Sequence, residues 1–254
     1  MSRFAIISDV HGNLAALRAV MARVDAMGLR DVICLGDIVG YGPHPGECVD
    51  LVLSRCSTIV RGNHDDGVLD RASLGDFNGV ARTALVWTRS VLTRPQIEQI
   101  ARLPTTAHVC GAAMCVHDSP QPGTAAYVHD ARAAAIAFRG VEAPICLLGH
   151  THVPALFETD SLSPSDRLAA KDVRATLLRD GDVVRVDPGC RYILNPGAVG
   201  QPRDCDPRAS FAVLDLDEGT FSLHREEYDI AAAQRATQEA GLPMTLAQRL
   251  AAGA

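Results

Sequence analysis

The stretch Phe4-Ala5-Ile6-Ile7-Ser8-Asp9-Val10-His11 sets the pattern for the whole chain: a short apolar run ends on a carboxylate, with an imidazole two positions on. The pattern recurs. Val32-Ile33-Cys34-Leu35 runs into Gly36-Asp37, and Thr58-Ile59-Val60-Arg61 into Gly62-Asn63-His64-Asp65. Met114-Cys115-Val116 leads straight into His117, and Ile145-Cys146-Leu147-Leu148 into Gly149-His150-Thr151-His152. Short apolar runs of this kind read as buried strands, and in open α/β sheets ligands bind at the carboxyl ends of the strands. Five strand ends that each carry a donor side chain predict one composite site.

Spacing and donor chemistry agree with that reading. Asp9 and His11, like His150 and His152, are two apart, which puts both side chains on one side of an extended segment. Gly36, Gly62 and Gly149 fall where the chain must turn sharply or approach an ion closely. Asp, Asn and His supply oxygen and imidazole donors without thiolate, a mixture that favours Mn, Fe, Zn, Co or Ni over Ca or a structural Cys-Zn site. Each block alone has a blander meaning. Asp9 would serve as an N-cap for the helix that starts near Asn13, Asp65 as a cap after Asn63-His64, and His117 as a packing residue. Five blocks in order outweigh those readings. His108, His129 and His224 lack such context and are expected at the surface or in packing, and Cys110 and Cys115 are expected as buried thiols. A serine-nucleophile mechanism is disfavoured: there is no Gly-x-Ser-x-Gly elbow, and His117-Asp118-Ser119 has no independent base.

Around these blocks the chain alternates strands and helices up to His152, then turns strand-rich. Segments 155–157, 173–178, 183–186, 192–194, 210–216 and 220–225 read as antiparallel strands joined by Asp-Gly and Glu-Gly turns. Residues 159–171 read as a surface loop, and the tail from Ile230 as helical. The expectation is a layered α/β sandwich forming a single domain over 1–254, with a C-terminal helical segment at about 229–254. The 254 residues carry 24 basic and 30 acidic side chains, a net charge of -6, which argues against long nucleic acid as a partner. Lys171 is the only lysine and has no glycine-rich loop before it, so P-loop and Schiff-base chemistry are excluded. Eight cysteines without a Cys-x-x-Cys pair, no signal peptide and no long apolar run predict a reduced, cytoplasmic protein without a membrane partner.

The ordered set Asp9-x-His11, Gly36-Asp37, Gly62-Asn63-His64-Asp65, His117 and Gly149-His150-x-His152 resembles that of the calcineurin-like metallophosphoesterases, over roughly residues 3–215. Gly36-Asp37-Ile38-Val39-Gly40-Tyr41-Gly42-Pro43 and the segment from Asn195 to Arg203 resemble a small bacterial and archaeal phosphodiesterase group within it. The resemblance implies a four-layer αββα sandwich, two mixed β-sheets flanked by helices. It implies two divalent ions, manganese foremost with Fe, Zn, Ni or Co as alternatives. One would be held by Asp9, His11, Asp37 and His152, the other by Asp37, Asn63, His117 and His150. His64 would contact the phosphate or assist the leaving group, with Asp65 orienting its ring. Tyr41, His44 and Arg203 are candidate substrate contacts, and Arg208 shares the reading given to Arg203.

The activity so implied is hydrolysis of a small soluble, nucleotide-like phosphodiester by a metal-bridging hydroxide. A phosphomonoesterase or protein phosphatase of the same fold, or a non-catalytic scaffold, stands as the alternative. Two positions depart from the family pattern. Tyr41 replaces the arginine of Gly-Asp-x-x-Asp-Arg-Gly, which counts against phosphoprotein substrates, and Asp118 follows His117 where glycine is often found.

Overall fold

The layering follows from alternation along strand β1 (Arg3–Ile7). Phe4 and Ile6 join one apolar cluster and Ala5 and Ile7 another, so the strand is buried on both faces. A strand in that position must be apolar throughout, and this one is buried from Phe4 onward. The computed structural model describes residues 2–69, 71–121, 127–164 and 167–254.

After β1 come α1 (Leu14–Ala26), β2 (Asp31–Cys34), α2 (Pro45–Arg55) and β3 (Thr58–Ile59). Helix α3 (Asn63–Leu69), a 3-10 turn at Arg71–Asp76, α4 (Gly79–Val91) and α5 (Arg94–Arg102) make a helical block. Then follow β4 (Thr106–Val109), β5 (Ala113–Val116), α6 (Ala131–Ala137), β6 (Ile145–Leu147) and β7 (Ala155–Thr159). The chain goes on through β8 (Arg174–Leu177), β9 (Val183–Arg185), β10 (Arg191–Asn195), β11 (Ala209–Asp215) and β12 (Thr220–Glu226). Helices α7 (Ile230–Glu239) and α8 (Met244–Ala252) complete it.

Two six-stranded sheets result, ordered β3-β2-β1-β11-β12-β9 and β4-β5-β6-β10-β7-β8. Both are mixed: β1 pairs parallel to β2 and antiparallel to β11, and β6 pairs parallel to β5. Between the sheets lie Phe4, Ile6, Ile33, Leu147, Tyr192, Leu194 and Phe221. Leu17, Val20 and Val24 of α1, with Val49 and Val52 of α2, cover Ala5, Ile7, Val32 and Cys34 on the outer face of the first sheet. Ala134, Ala135 and Ala137 of α6 cover Met114, Cys146 and Ile193 on the outer face of the second. Helices, sheet, sheet and helices give the four layers expected.

Local chemistry explains several boundaries. The Asn13 side chain accepts the Ala16 N–H at 3.2 Å and starts α1, and a Thr93–Gln96 capping box starts α5. Two expectations need correction. Strand β10 is not purely antiparallel, because its other edge pairs parallel to β6. Helix α3 already starts at Asn63, so Asp65 lies within its first turn and is not a cap after Asn63-His64. The C-terminal segment is helical as expected and is divided into two helices at Gly241 (φ 71°) and Pro243. Of the expected loop 159–171, residues 165 and 166 lie outside the described residues, and its end is a 3-10 turn at Ala170–Asp172. No helix among the described residues is long and apolar enough to cross a membrane.

Candidate metal centre

Each donor sits where a strand gives out. Asp9 and His11 follow β1, Asp37 follows β2, and Asn63 and His64 open α3 just after β3. His117 follows β5, and His150 and His152 follow β6. These loops are not relaxed. Among the described residues eight non-glycines have positive φ, and Asp9, His11, Asp37, Tyr41, His150 and His152 are six of them, at 49° to 66°. Such backbone costs an L-residue about 1–2 kcal/mol and persists only where the surroundings impose it. Here the neighbouring loops impose it: the Asp9 N–H donates to Gly36 O at 3.0 Å and the His11 N–H to Asp37 O at 2.9 Å.

The two aspartates are held alike. Asp9 Oδ2 accepts the His150 N–H at 3.1 Å, and Asp37 Oδ1 accepts the His64 N–H at 2.8 Å. Each carboxylate thus keeps one oxygen on the backbone and turns the other toward the histidines. Glycine makes room for both. A Cβ on Gly62 would lie 2.2 Å from Asp37 Oδ1, and one on Gly149 would lie 2.7 Å from Asp9 Oδ2.

Three imidazoles are oriented by backbone carbonyls. Nδ1 of His11, His117 and His152 lies 3.1, 2.8 and 2.5 Å from the carbonyl oxygens of Val39, Leu35 and Gln201. A carbonyl only accepts, so each Nδ1 carries the hydrogen and each Nε2 turns a lone pair inward. Those lone pairs meet one another and the carboxylates. His11 and His152 Nε2 are 3.1 Å apart, His152 Nε2 is 3.3 Å from Asp9 Oδ1, and His117 Nε2 is 3.2 Å from Asp37 Oδ2. Only a cation, a proton or a metal ion, reconciles such neighbours.

Unsatisfied atoms mark the same place. Asp9 Oδ1, Asn63 Oδ1, His117 Nε2 and His150 Nε2 are buried without a hydrogen-bond partner. Buried polar atoms are almost always paired, so four orphans at one point fit a bound cation. Donor atoms lie within 4.8 Å of one another in Asp9-His11-His152, in Asp37-His117-His150 and in His11-Asp37-His64. Nitrogen and carboxylate donors in such groups suit a divalent metal.

Electrostatics in the protein alone point the same way. Burial holds His11 and His152 well below the usual imidazole range, His150 near 3 and His64 near 4, so these rings are neutral lone-pair donors. Burial opposes a charge on His117 as well, but the Asp37 and Asp9 carboxylates override it and lift His117 to about 10. Burial favours protonating Asp37, yet His117 and His64 hold it well below the carboxylate range. Burial dominates at Asp9 and pushes it up to about 6. Without a metal, a proton on His117 acts as the cation.

A cleft of about 440 Å³ opens onto these donors, and Tyr41, His64, Asp118 and Arg203 help line it. The Tyr41 ring stands 4.5 Å from His64 and 4.6 Å from His11, and the Arg203 guanidinium lies 6.0 Å above the Tyr41 ring. Arg203 Nη2 donates to Gln201 Oε1 at 3.3 Å. Some expected contacts lie elsewhere. His44 does not line the cleft; it precedes α2 as its N-cap, and its N–H donates to Gly12 O at 3.0 Å. Arg208 is tied to Asp206 and Asp180 at 2.7 and 2.8 Å, an ion pair at the surface. Asp65 does not orient the His64 ring, whose Nδ1 has no partner. Its carboxylate instead accepts the N–H groups of Ile38, Val39 and Gly62 at 3.0, 3.2 and 3.0 Å, pinning the Asp37 loop to α3. Cys110 is exposed, not buried.

Two aromatic neighbours have no signal in the sequence. Phe77 meets His64 edge-on at 5.0 Å, and Tyr127 lies 4.1 Å from His150. Both come from segments without a motif.

A sequence profile of the calcineurin-like phosphoesterase superfamily domain matches residues 2–219. The chain belongs to this family. Membership implies hydrolysis of phosphoric esters, and divalent metals are typical of it. A metallophosphoesterase from Sphaerobacter thermophilus is similar in structure, with 45% identity, a TM-score of 0.85 and 99% of each chain covered. A hypothetical protein from Pyrococcus horikoshii shares the calcineurin-like fold at 18% identity and a TM-score of 0.77, covering 100% of this chain and 99% of that one. An uncharacterized protein of Methanocaldococcus jannaschii is 33% identical over 99% of this chain and 98% of its own length.

Proposed function

We propose that this calcineurin-like phosphoesterase is a dinuclear phosphodiesterase acting on a small soluble, nucleotide-like diester. The observation that carries the reading is the pair of donor groups side by side, Asp9-His11-His152 and Asp37-His117-His150. Asp37 would serve both groups and Asn63 would complete the second. Two divalent ions held there, manganese foremost and Fe, Zn, Ni or Co as alternatives, would supply an activated water and a clamp on the phosphate oxygens.

The chain's own residues bind and orient the ester. His64 is buried and neutral in the cleft wall, suited to hydrogen-bond a phosphate or leaving-group oxygen. Arg203 brings the guanidinium to that wall, and its packing over Tyr41 limits the directions in which it reaches. Asp76 and Asp118 also line the cleft. Those carboxylates disfavour a second negative charge on the substrate, which supports a diester monoanion over a monoester dianion.

A net charge of -6 fits this small partner better than long nucleic acid. Eight free thiols, Cys34, Cys48, Cys115 and Cys146 of them buried, suit a reducing compartment, and we assign the protein to the cytoplasm. Relative rates on bis(p-nitrophenyl) phosphate and p-nitrophenyl phosphate, with added manganese, test the substrate class. Faster diester turnover is expected, and monoester preference would move the protein to the phosphomonoesterases.

A further inference from the structure

A second cavity, of about 360 Å³, abuts the metal cleft. That volume suits a small organic group. Tyr127, Val128, Val153, Ala155 and Leu177 form its apolar wall, with Thr151 and His129 as polar members. The Thr151 hydroxyl already accepts from Asn195 Nδ2 at 3.0 Å, and His129 lies 3.6 Å from Asp130. The lining therefore favours an apolar occupant.

The cavity is joined to the donors by a shared wall. Thr151 stands between His150 and His152, both of which line the metal cleft, and Tyr127 lines both spaces. The Tyr127 and His150 rings are 4.1 Å apart and tilted by 32°. Apolar surface is also left open to water at this place. Tyr127 is 48% and Leu177 68% exposed, while Val128 and Ala155 are 2% and 5% exposed and give the hollow a fixed floor. Exposed apolar surface beside a polar cleft marks a binding site.

We infer that this cavity takes the organic substituent of the phosphate ester, and that the substituent is planar and aromatic, a nucleobase or an aryl ring. The inference rests on the phosphoesterase reading and adds its specificity pocket. An ester whose phosphate sits at His150 and His152 has its substituents next to Thr151, at the wall of the second cavity. Tyr127 offers a half-exposed ring for offset stacking, and Leu177 and Val153 supply flat aliphatic cover. Burying part of a ring in such walls is worth about tenfold in affinity.

Inhibition of manganese-supplemented ester hydrolysis by methyl-, butyl- and phenylphosphonate tests the assignment, because the three share one charged head. Phenylphosphonate is expected to have a Ki about tenfold below that of methylphosphonate. Leu177→Ser, a neutral change on the exposed strand β8 and outside the donor set, should erase that preference and leave the methylphosphonate Ki unchanged. Equal Ki values for phenyl and methyl in the parent protein would overturn the pocket, as would a variant that weakens both alike. Butylphosphonate binding as tightly as phenylphosphonate would overturn the aromatic assignment. A Leu177→Ser variant with unchanged Ki values but a changed mass in solution would give this face to a second copy of the chain. In all these cases turnover continues. Failure to hydrolyse any ester would instead sink the phosphoesterase reading, and the pocket with it.

Discussion

Replacing Gly62 by alanine is expected to damage metal binding without removing a ligand. The added Cβ would lie 2.2 Å from Asp37 Oδ1 and 2.5 Å from the Asp37 backbone nitrogen. Ordinary contact begins at 3.4 Å, so the carboxylate and its loop must retreat by about 1.2 Å. That movement breaks the 2.8 Å bond from the His64 N–H and turns Oδ2 away from His11 and His117. Overpacking of this kind costs about 1–3 kcal/mol, and each kcal/mol lowers Tm by about 2–4 °C in a domain of this size. Loss of support for a ligand weakens metal affinity about 10–100-fold. Calorimetric titration of chelator-treated protein with manganese, together with thermal melts, reads both effects. Gly79→Ala is the control, since a Cβ there meets nothing within 4 Å. If Gly62→Ala bound manganese as tightly as the parent and melted like the control, the placement of Asp37 would be wrong.

Three further outcomes are expected. In metal-free protein the raised His117 pKa contributes stability that is fully present below about 6.5 and lost as pH rises through about 10. Tm should fall across that window without metal and fall less in saturating manganese, because the ion replaces the proton; equal slopes would count against His117 as a ligand. Asp65→Ala strands the N–H groups of Ile38, Val39 and Gly62, at about 1–3 kcal/mol each, so Tm should drop by at least about 6 °C. An unchanged melt with lost turnover would restore the role of orienting His64. Arg203→Gln should raise KM about tenfold with kcat held within about twofold, and a fall in kcat alone would place the arginine at the transition state instead.

The frame of the site was legible because each donor closes an apolar run. Strand ends are where an open sheet exposes groups, and β1, β2, β5 and β6 end at the positions where Asp9, Asp37, His117 and His150 cluster. The helix after Asn63-His64 starts earlier than a cap at Asp65 would place it, because the Asp65 carboxylate inside its first turn is taken up by distant N–H groups on Ile38 and Val39. The same contacts redirect Asp65, since a carboxylate with three backbone donors is no longer free for an imidazole. Tyr127 and Phe77 reach the site from segments without a motif, and only tertiary packing brings a lone aromatic to a histidine. The break between α7 and α8 had a signal in Gly241-Leu242-Pro243, outweighed by the alanine-rich runs on either side.

The left-handed turns at Asp9, His11, Asp37, Tyr41, His150 and His152 bear on whether the centre is portable. Copying these side chains onto relaxed loops of another scaffold would send each Cα–Cβ bond in a different direction, and the donor atoms would miss a common point. A transplant would have to carry the glycines that vacate space beside the aspartates and the cross-loop N–H bonds that enforce the unfavourable φ. The backbone, more than the donor set, is the part that resists grafting.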